Sequence, residues 1–173
     1  EEWFGITYGP MRLLVLNDTV DTGTEITQDQ VSFLQTQLGA IDRQRTPFAI
    51  GMHHQPMYTT SNGHTSNLTL RSAWGPVFDQ HHLNVDIAGH VHSYESTKPV
   101  KNAQVVATDA QGTRYFNWGG GGAPLYGFAA TQSWIQTRES THGYTIMTVS
   151  ATKLTWVAHR TDGSVIETID VTP

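Results

Sequence analysis

The chain has 173 residues, 38% of them hydrophobic and 14% charged, with 16 glycines and a formal net charge of -5 at pH 7. That length allows one domain with a real core, and the composition excludes a disordered or fibrous protein. The negative balance leaves no basic field for a polyanionic backbone, which argues against a nucleic-acid partner. No apolar run approaches the roughly 20 residues that cross a bilayer, and the absence of cysteine excludes disulfides and thiolate ligands.

The chain opens on Glu1-Glu2-Trp3-Phe4, with neither an initiator methionine nor a signal-type apolar stretch, and so reads as a piece of something longer. Residues 3–8 and 11–16 are β-branched and aromatic runs around Gly9-Pro10, the pattern of a hairpin. Thr27-Gln28-Asp29-Gln30 has the form of a capping box, and Val31, Leu34, Leu38 and Ile41 then recur at helical spacing. A short apolar run over 48–52 predicts a strand, and a polar loop follows over 59–69. A second helix is predicted over 70–81 through Trp74, Val77 and Phe78, then a buried strand over 85–88 that ends at Gly89. From Ala103 onward only strands are predicted, at 104–108, 113–118, 144–150, 154–159 and 165–171. The order is α/β passing into a β meander, as one domain over 1–173.

Two histidine clusters carry chemistry. Gly89-His90-Val91-His92 follows the strand over 85–88, and in an extended backbone His90 and His92 project to the same side. Neutral imidazoles ligate zinc, iron and manganese, and sites of layered α/β proteins lie beyond strand carboxyl ends. The strand over 48–52 runs likewise into His53-His54-Gln55-Pro56-Met57-Tyr58, where at most one of the adjacent histidines faces a shared site.

Taken in order, these motifs resemble the purple acid phosphatase branch of the calcineurin-like metallophosphoesterases. The resemblance rests on Ala88-Gly89-His90-Val91-His92-Ser93-Tyr94-Glu95, on residues 52–58 with His54 before Gln55-Pro56, and on the opening segment through Asn17-Asp18-Thr19. Gly119-Gly120-Gly121-Gly122 followed by Ala123-Pro124-Leu125-Tyr126 also fits. It implies the C-terminal half of a four-layer α/β/β/α sandwich that ends in a β meander. It also implies a centre of two metal ions (iron, zinc or manganese) acting on a small phosphate-ester substrate. By motif position His54 and His90 would hold one ion and His92 the other, and His64 would contact the phosphate or protonate the leaving oxygen, or else is a solvated loop histidine. His53 departs from the family's apolar residue, so the ligand is His53 or His54, with His54 favoured by position. Tyr58 and Tyr94 are candidates to line the pocket, or else packing residues. Asp86 is expected to buttress the strand end, and His81, His82, His142 and His159 to be structural. Asp79-Gln80-His81 matches the family's Asp-x-His only in letters, because it falls inside the second helix.

The motifs that supply the family's carboxylate ligands are absent upstream of Trp3, so the chain alone is expected to be inactive and to present apolar surface to the N-terminal half, carried in the same or another chain. The alternative is a non-catalytic binding or structural module with a vestigial metal site. The resemblance leans toward export, whether secreted, periplasmic or at the cell surface. Asn17-Asp18-Thr19 and Asn67-Leu68-Thr69 match glycosylation sequons.

Overall fold

The computed structural model describes residues 3–18 and 28–173, so Thr27 of the expected capping box lies outside the described residues. Strands β1 (Phe4–Tyr8) and β2 (Met11–Val15) form the expected hairpin, antiparallel from Phe4↔Val15 to Tyr8↔Met11. Helix α1 (Gln28–Gly39) buries Gln30, Leu34 and Leu38, and β3 (Phe48–His53) returns beside β2 in parallel. Helix α2 (Leu68–His81) then leads to β4 (Val85–Ala88), which pairs in parallel with β3.

The second half begins with β5 (Tyr94–Thr97) and the short hairpin β6 (Val100–Lys101) and β7 (Gln104–Val105). A 3-10 turn (Asp109–Gln111), β8 (Arg114–Trp118) and β9 (Ile135–Glu139) follow. The chain closes with β10 (Gly143–Val149), β11 (Leu154–Arg160) and β12 (Val165–Val171). Ten of these strands build the two larger sheets, a seven-stranded one ordered β1-β2-β3-β4-β8-β5-β9 and the expected antiparallel meander β10-β11-β12, while β6 and β7 pair with each other.

Alternation along β3 explains the layering. Ala49 faces the helices with Leu14, Leu34, Leu38, Trp74, Phe78 and Tyr115. Phe48 and Ile50 face the meander with Val85, Phe116, Leu154, Trp156 and Ile169. The result is a layer of helices, the large sheet and the meander; among the described residues no helix covers the outer face of the meander, where Tyr144 and Ile146 are exposed. The meander also leaves part of the large sheet uncovered. Met52 is 39% exposed although it lies in a central strand, and an open cleft of about 280 Å³ runs between Met52, Ile87 and Trp118 on one sheet and Thr145, Met147 and Trp156 on the other.

Some expectations require correction. The strand expected over 104–108 shrinks to Gln104–Val105: it pairs only with the two residues of β6 across the left-handed turn at Asn102 and Ala103, and the chain then bends at 107–108 into the 3-10 turn. Strands β5 and β9 escape the sequence pattern because they carry polar residues: Glu95, Ser96 and Thr97 are all buried. The polar loop over 59–69 is not solvated throughout, since Thr59, Thr60 and Ser61 are buried and α2 already starts within that span. His82 is the left-handed C-cap of α2, but burial and the neighbouring Arg43 lower its pKa, so it is no charged partner for the helix dipole.

Candidate metal centre

Parallel pairing of β3 and β4, down to His53↔Ala88, brings the carboxyl ends of the two histidine motifs together. The Gly89 N–H donates to the His54 carbonyl at 3.0 Å and locks the two turns to each other. Across that junction His54 Nε2 and His90 Nδ1 face one another at 3.0 Å, with ring centroids 4.8 Å apart. The ring of His64 lies over that of His90 at 3.9 Å, which brings the 59–67 loop to the same place.

The way His90 and His92 are presented differs from the extended backbone expected for them. The chain bends over 90–93: the Val91 N–H reaches the Gly89 carbonyl at 2.6 Å, the Ser93 N–H reaches the Val91 carbonyl at 2.9 Å, and His90 sits at φ 61. A left-handed non-glycine residue costs about 1–2 kcal/mol, and such strain persists only where the surroundings impose it. Here the strand end, the Gly89 bond and the His54 contact impose it together.

Tautomers follow from the partners. His92 Nδ1 lies 2.8 Å from the Pro124 carbonyl, which can only accept, so Nδ1 carries the proton and Nε2 keeps its lone pair. Burial, then the neighbouring His64 and His54, lower the pKa of His90 and favour its neutral, metal-ligating form. The His54–His90 nitrogen separation is near the edge of about 3.3 Å for a tetrahedron with zinc–nitrogen lengths of about 2.0–2.1 Å. The histidines therefore fit a share of a metal site. Among the described residues no group of three or more His, Cys, Asp or Glu is arranged to hold an ion, so the share is partial.

His53 is differently occupied. Its side chain is fully buried, with Nδ1 3.0 Å from Asp18 Oδ2 and Nε2 2.9 Å from Asp86 Oδ2. Both nitrogens being taken, His54 is the member of the pair that presents a nitrogen toward His90. Asp86 and Asp18 outweigh the effect of burial and push the His53 pKa up to about 9. Asp18 also accepts the backbone N–H groups of His54 and Gln55; against the opposing effect of burial, the His53 bond first and then the Gln55 N–H hold its carboxyl below the usual range. Gly51 makes room for Asp86, because a Cβ there would lie 2.6 Å from Asp86 Oδ1.

Three contributors were not singled out from the sequence. Asp18 follows β2 at the same end of the sheet as the two motifs, so the strand-end rule could have found it. Glu95 is buried and accepts from the hydroxyls of Thr59 and Thr60 and the Thr60 N–H, anchoring the loop that carries His64. Tyr126 stacks on His92 with centroids 4.3 Å apart; it ends the segment after the glycine run, but nothing in that motif assigns it a role. Tyr58 and Tyr94, by contrast, lie in the two cores. Tyr58 packs on Tyr115, Trp134 and Arg71, and Tyr94 donates to Glu167 at 2.6 Å. Both are 3% exposed or less, and Tyr58 borders a cleft with Arg71 and Asp79 that does not include the histidines. Asp79 accepts the Asn102 N–H from within α2, away from the histidines. His142 bonds the Ala123 carbonyl and His159 stacks on Tyr144.

Comparison with known proteins bears on the family and the fold. A family model described as iron/zinc purple acid phosphatase-like protein C matches residues 112–168. Purple acid phosphatase 18 of Arabidopsis thaliana is 31% identical over 141 residues, 78% of this chain and 31% of its own length. Purple acid phosphatase 5 of the same plant is 29% identical over 79% of this chain and 39% of its own length. Two further Arabidopsis relatives, 27% and 26% identical over 86% and 84% of this chain, carry the word inactive in their names. Among solved structures, purple acid phosphatase PPD1 from yellow lupin (Lupinus luteus) seeds superposes on 98% of this chain with a TM-score of 0.89 at 23% identity, using 32% of its own length. The chain thus spans about a third of the length of these relatives. With the motifs, the sheet order and these similarities in agreement, the chain belongs to the purple acid phosphatase-like branch of the calcineurin-like metallophosphoesterases, of which it carries the C-terminal region.

Proposed function

We infer that the complete domain hydrolyses phosphate esters, phosphomonoesters or diesters, at a binuclear metal centre to which this chain contributes histidine ligands. His54 and His90 would hold one ion and His92 the other. The observation that carries this reading is the facing pair His54 Nε2 and His90 Nδ1 at 3.0 Å, with His92 Nε2 left free by the Pro124 bond. Bound there, two ions of iron, zinc or manganese would supply Lewis-acid chemistry and a water acidic enough to act as hydroxide near neutral pH. His64 would hydrogen-bond a phosphate oxygen of the small-molecule ester or protonate the leaving oxygen, acting from a loop held by Glu95.

The carboxylate ligands would come from the N-terminal half of the domain, in the same polypeptide or a separate one. The uncovered apolar surface at Phe4, Ile6, Tyr8 and Met52 supports such a partner, as does the cleft at Ile87 and Trp118. No helix among the described residues is long and apolar enough to cross a membrane. Export to a secreted, periplasmic or cell-surface location is proposed from the family alone.

Metal content and p-nitrophenyl phosphate hydrolysis, measured on the complete domain, test the reading. The expected result is about two ions per domain and hydrolysis that falls about 100-fold or more in His90→Ala. A second reading, a non-catalytic module with a retained site, is favoured by the relatives whose names carry the word inactive. Metal retained without hydrolysis would select it, and neither metal nor hydrolysis would sink both.

A further inference from the structure

The rings at the candidate site form a continuous series. His54 meets His90 at 4.8 Å, His90 meets His64 at 3.9 Å, His64 meets Tyr126 at 5.4 Å, and Tyr126 meets His92 at 4.3 Å. Tyr126 closes the series. Its ring lies nearly parallel to His92, 10° apart, its backbone N–H donates to the His92 carbonyl at 2.9 Å, and its hydroxyl lies 3.4 Å from His64 Nε2.

The loop that carries His64 is laid against the same ring. A Cβ on Gly63 would lie 2.5 Å from Tyr126 carbon atoms, so only a glycine lets this turn rest flat on the aromatic face. The backbones are tied as well: the Asn62 N–H donates to the Gly127 carbonyl at 3.1 Å, the Ala129 N–H to the Thr60 carbonyl at 2.8 Å, and Ser61 bridges to Phe128. Pro124, two residues before Tyr126, holds His92 Nδ1. One short segment after the glycine run therefore sets the tautomer and plane of His92 and the position of His64.

We propose that Tyr126 is a positioning residue of the phosphate-ester site, clamping His92 by its ring and orienting His64 by its hydroxyl. The proposal rests on the functional reading above. Imidazole rotation about its terminal torsion is soft, and a stacked ring restricts it. A loop histidine loses rotamer freedom on binding, and a hydrogen bond that orients it beforehand lessens that loss. With the Tyr126 hydroxyl donating to Nε2, His64 keeps its proton on Nδ1, as a donor for a phosphate oxygen.

Tyr126→Phe keeps the ring and removes the hydroxyl; Tyr126→Leu removes both. Both variants are to be made in the complete domain and compared with wild type by proton NMR of the histidine rings in metal-free protein, by metal content, and by inorganic phosphate affinity. In the metal-free protein the His92 ring protons should be shifted upfield by the stacked tyrosine and lose that shift in Tyr126→Leu, while Tyr126→Phe moves the His64 resonances and leaves His92 in place. Phosphate affinity should fall about 5- to 10-fold in Tyr126→Phe with metal content unchanged, and metal retention should fall as well in Tyr126→Leu. Wild-type histidine shifts in both variants overturn the proposal whatever the activity, and so does unchanged phosphate affinity in Tyr126→Phe. A wild-type domain without metal, phosphate binding or hydrolysis overturns the functional reading instead, and the role toward phosphate falls with it.

Discussion

His53 shows how one residue can matter to a site without facing it. It is bonded by two carboxylates, and one of them, Asp18, also accepts the His54 N–H. The folded pKa of about 9 lies above the ordinary histidine value near 6.5, so the stabilisation from His53 is fully present below about pH 6.5 and is lost as pH rises through about 9. Asp18 is shifted the other way, so its contribution is present above its ordinary range and is lost as pH falls through its lowered folded pKa. His53→Gln leaves two buried carboxylates without their cation and should destabilise the protein by about 3–5 kcal/mol at neutral pH. The difference from wild type should narrow above about pH 9, as followed by thermal unfolding across pH. Letter patterns showed that one of two adjacent histidines packs; only the distances to Asp18 and Asp86 show which.

At the scale of elements, α2 illustrates both what periodicity reads and what it misses. Trp74, Val77 and Phe78 are spaced for one buried face, and the helix follows them. Its start at Leu68 comes from Asn67, whose side-chain oxygen accepts the Leu70 N–H at 3.0 Å while its Nδ2 donates to Gln55 at 2.9 Å. Asn67→Ala should therefore cost about 1 kcal/mol, read as a lower urea midpoint with an unchanged slope. A glycan at the Asn67 sequon would replace one of the two Nδ2 hydrogens and so compete with the bond to Gln55. Strands β5 and β9 stayed illegible for a related reason: their polar residues are satisfied by partners distant in sequence, as Glu95 is by Thr59 and Thr60.

For the whole molecule, the join between the two sheets depends on Trp156. It is 3% exposed, stacks on Phe116 with centroids 4.0 Å apart and donates to the Tyr94 hydroxyl at 3.0 Å. Burial, then Glu167, raises the Tyr94 pKa and keeps the phenol protonated. Trp156→Ala opens a cavity and removes the donor to that hydroxyl, which keeps its own bond to Glu167, at an expected cost of about 3–5 kcal/mol in chemical denaturation, whereas Trp156→Phe keeps the stack and should cost less.

By itself the sequence determined the α/β order, the closing meander and the two histidine motifs, because these depend on local periodicity and on short spacings along strand ends. Tertiary structure alone decided that His54 rather than His53 faces His90, that a left-handed turn rather than an extended segment presents the second motif, and that Asp18, Glu95 and Tyr126 support the site. Each of these depends on contacts between residues about 30 or more positions apart, which hydrophobic patterning along a single chain does not encode.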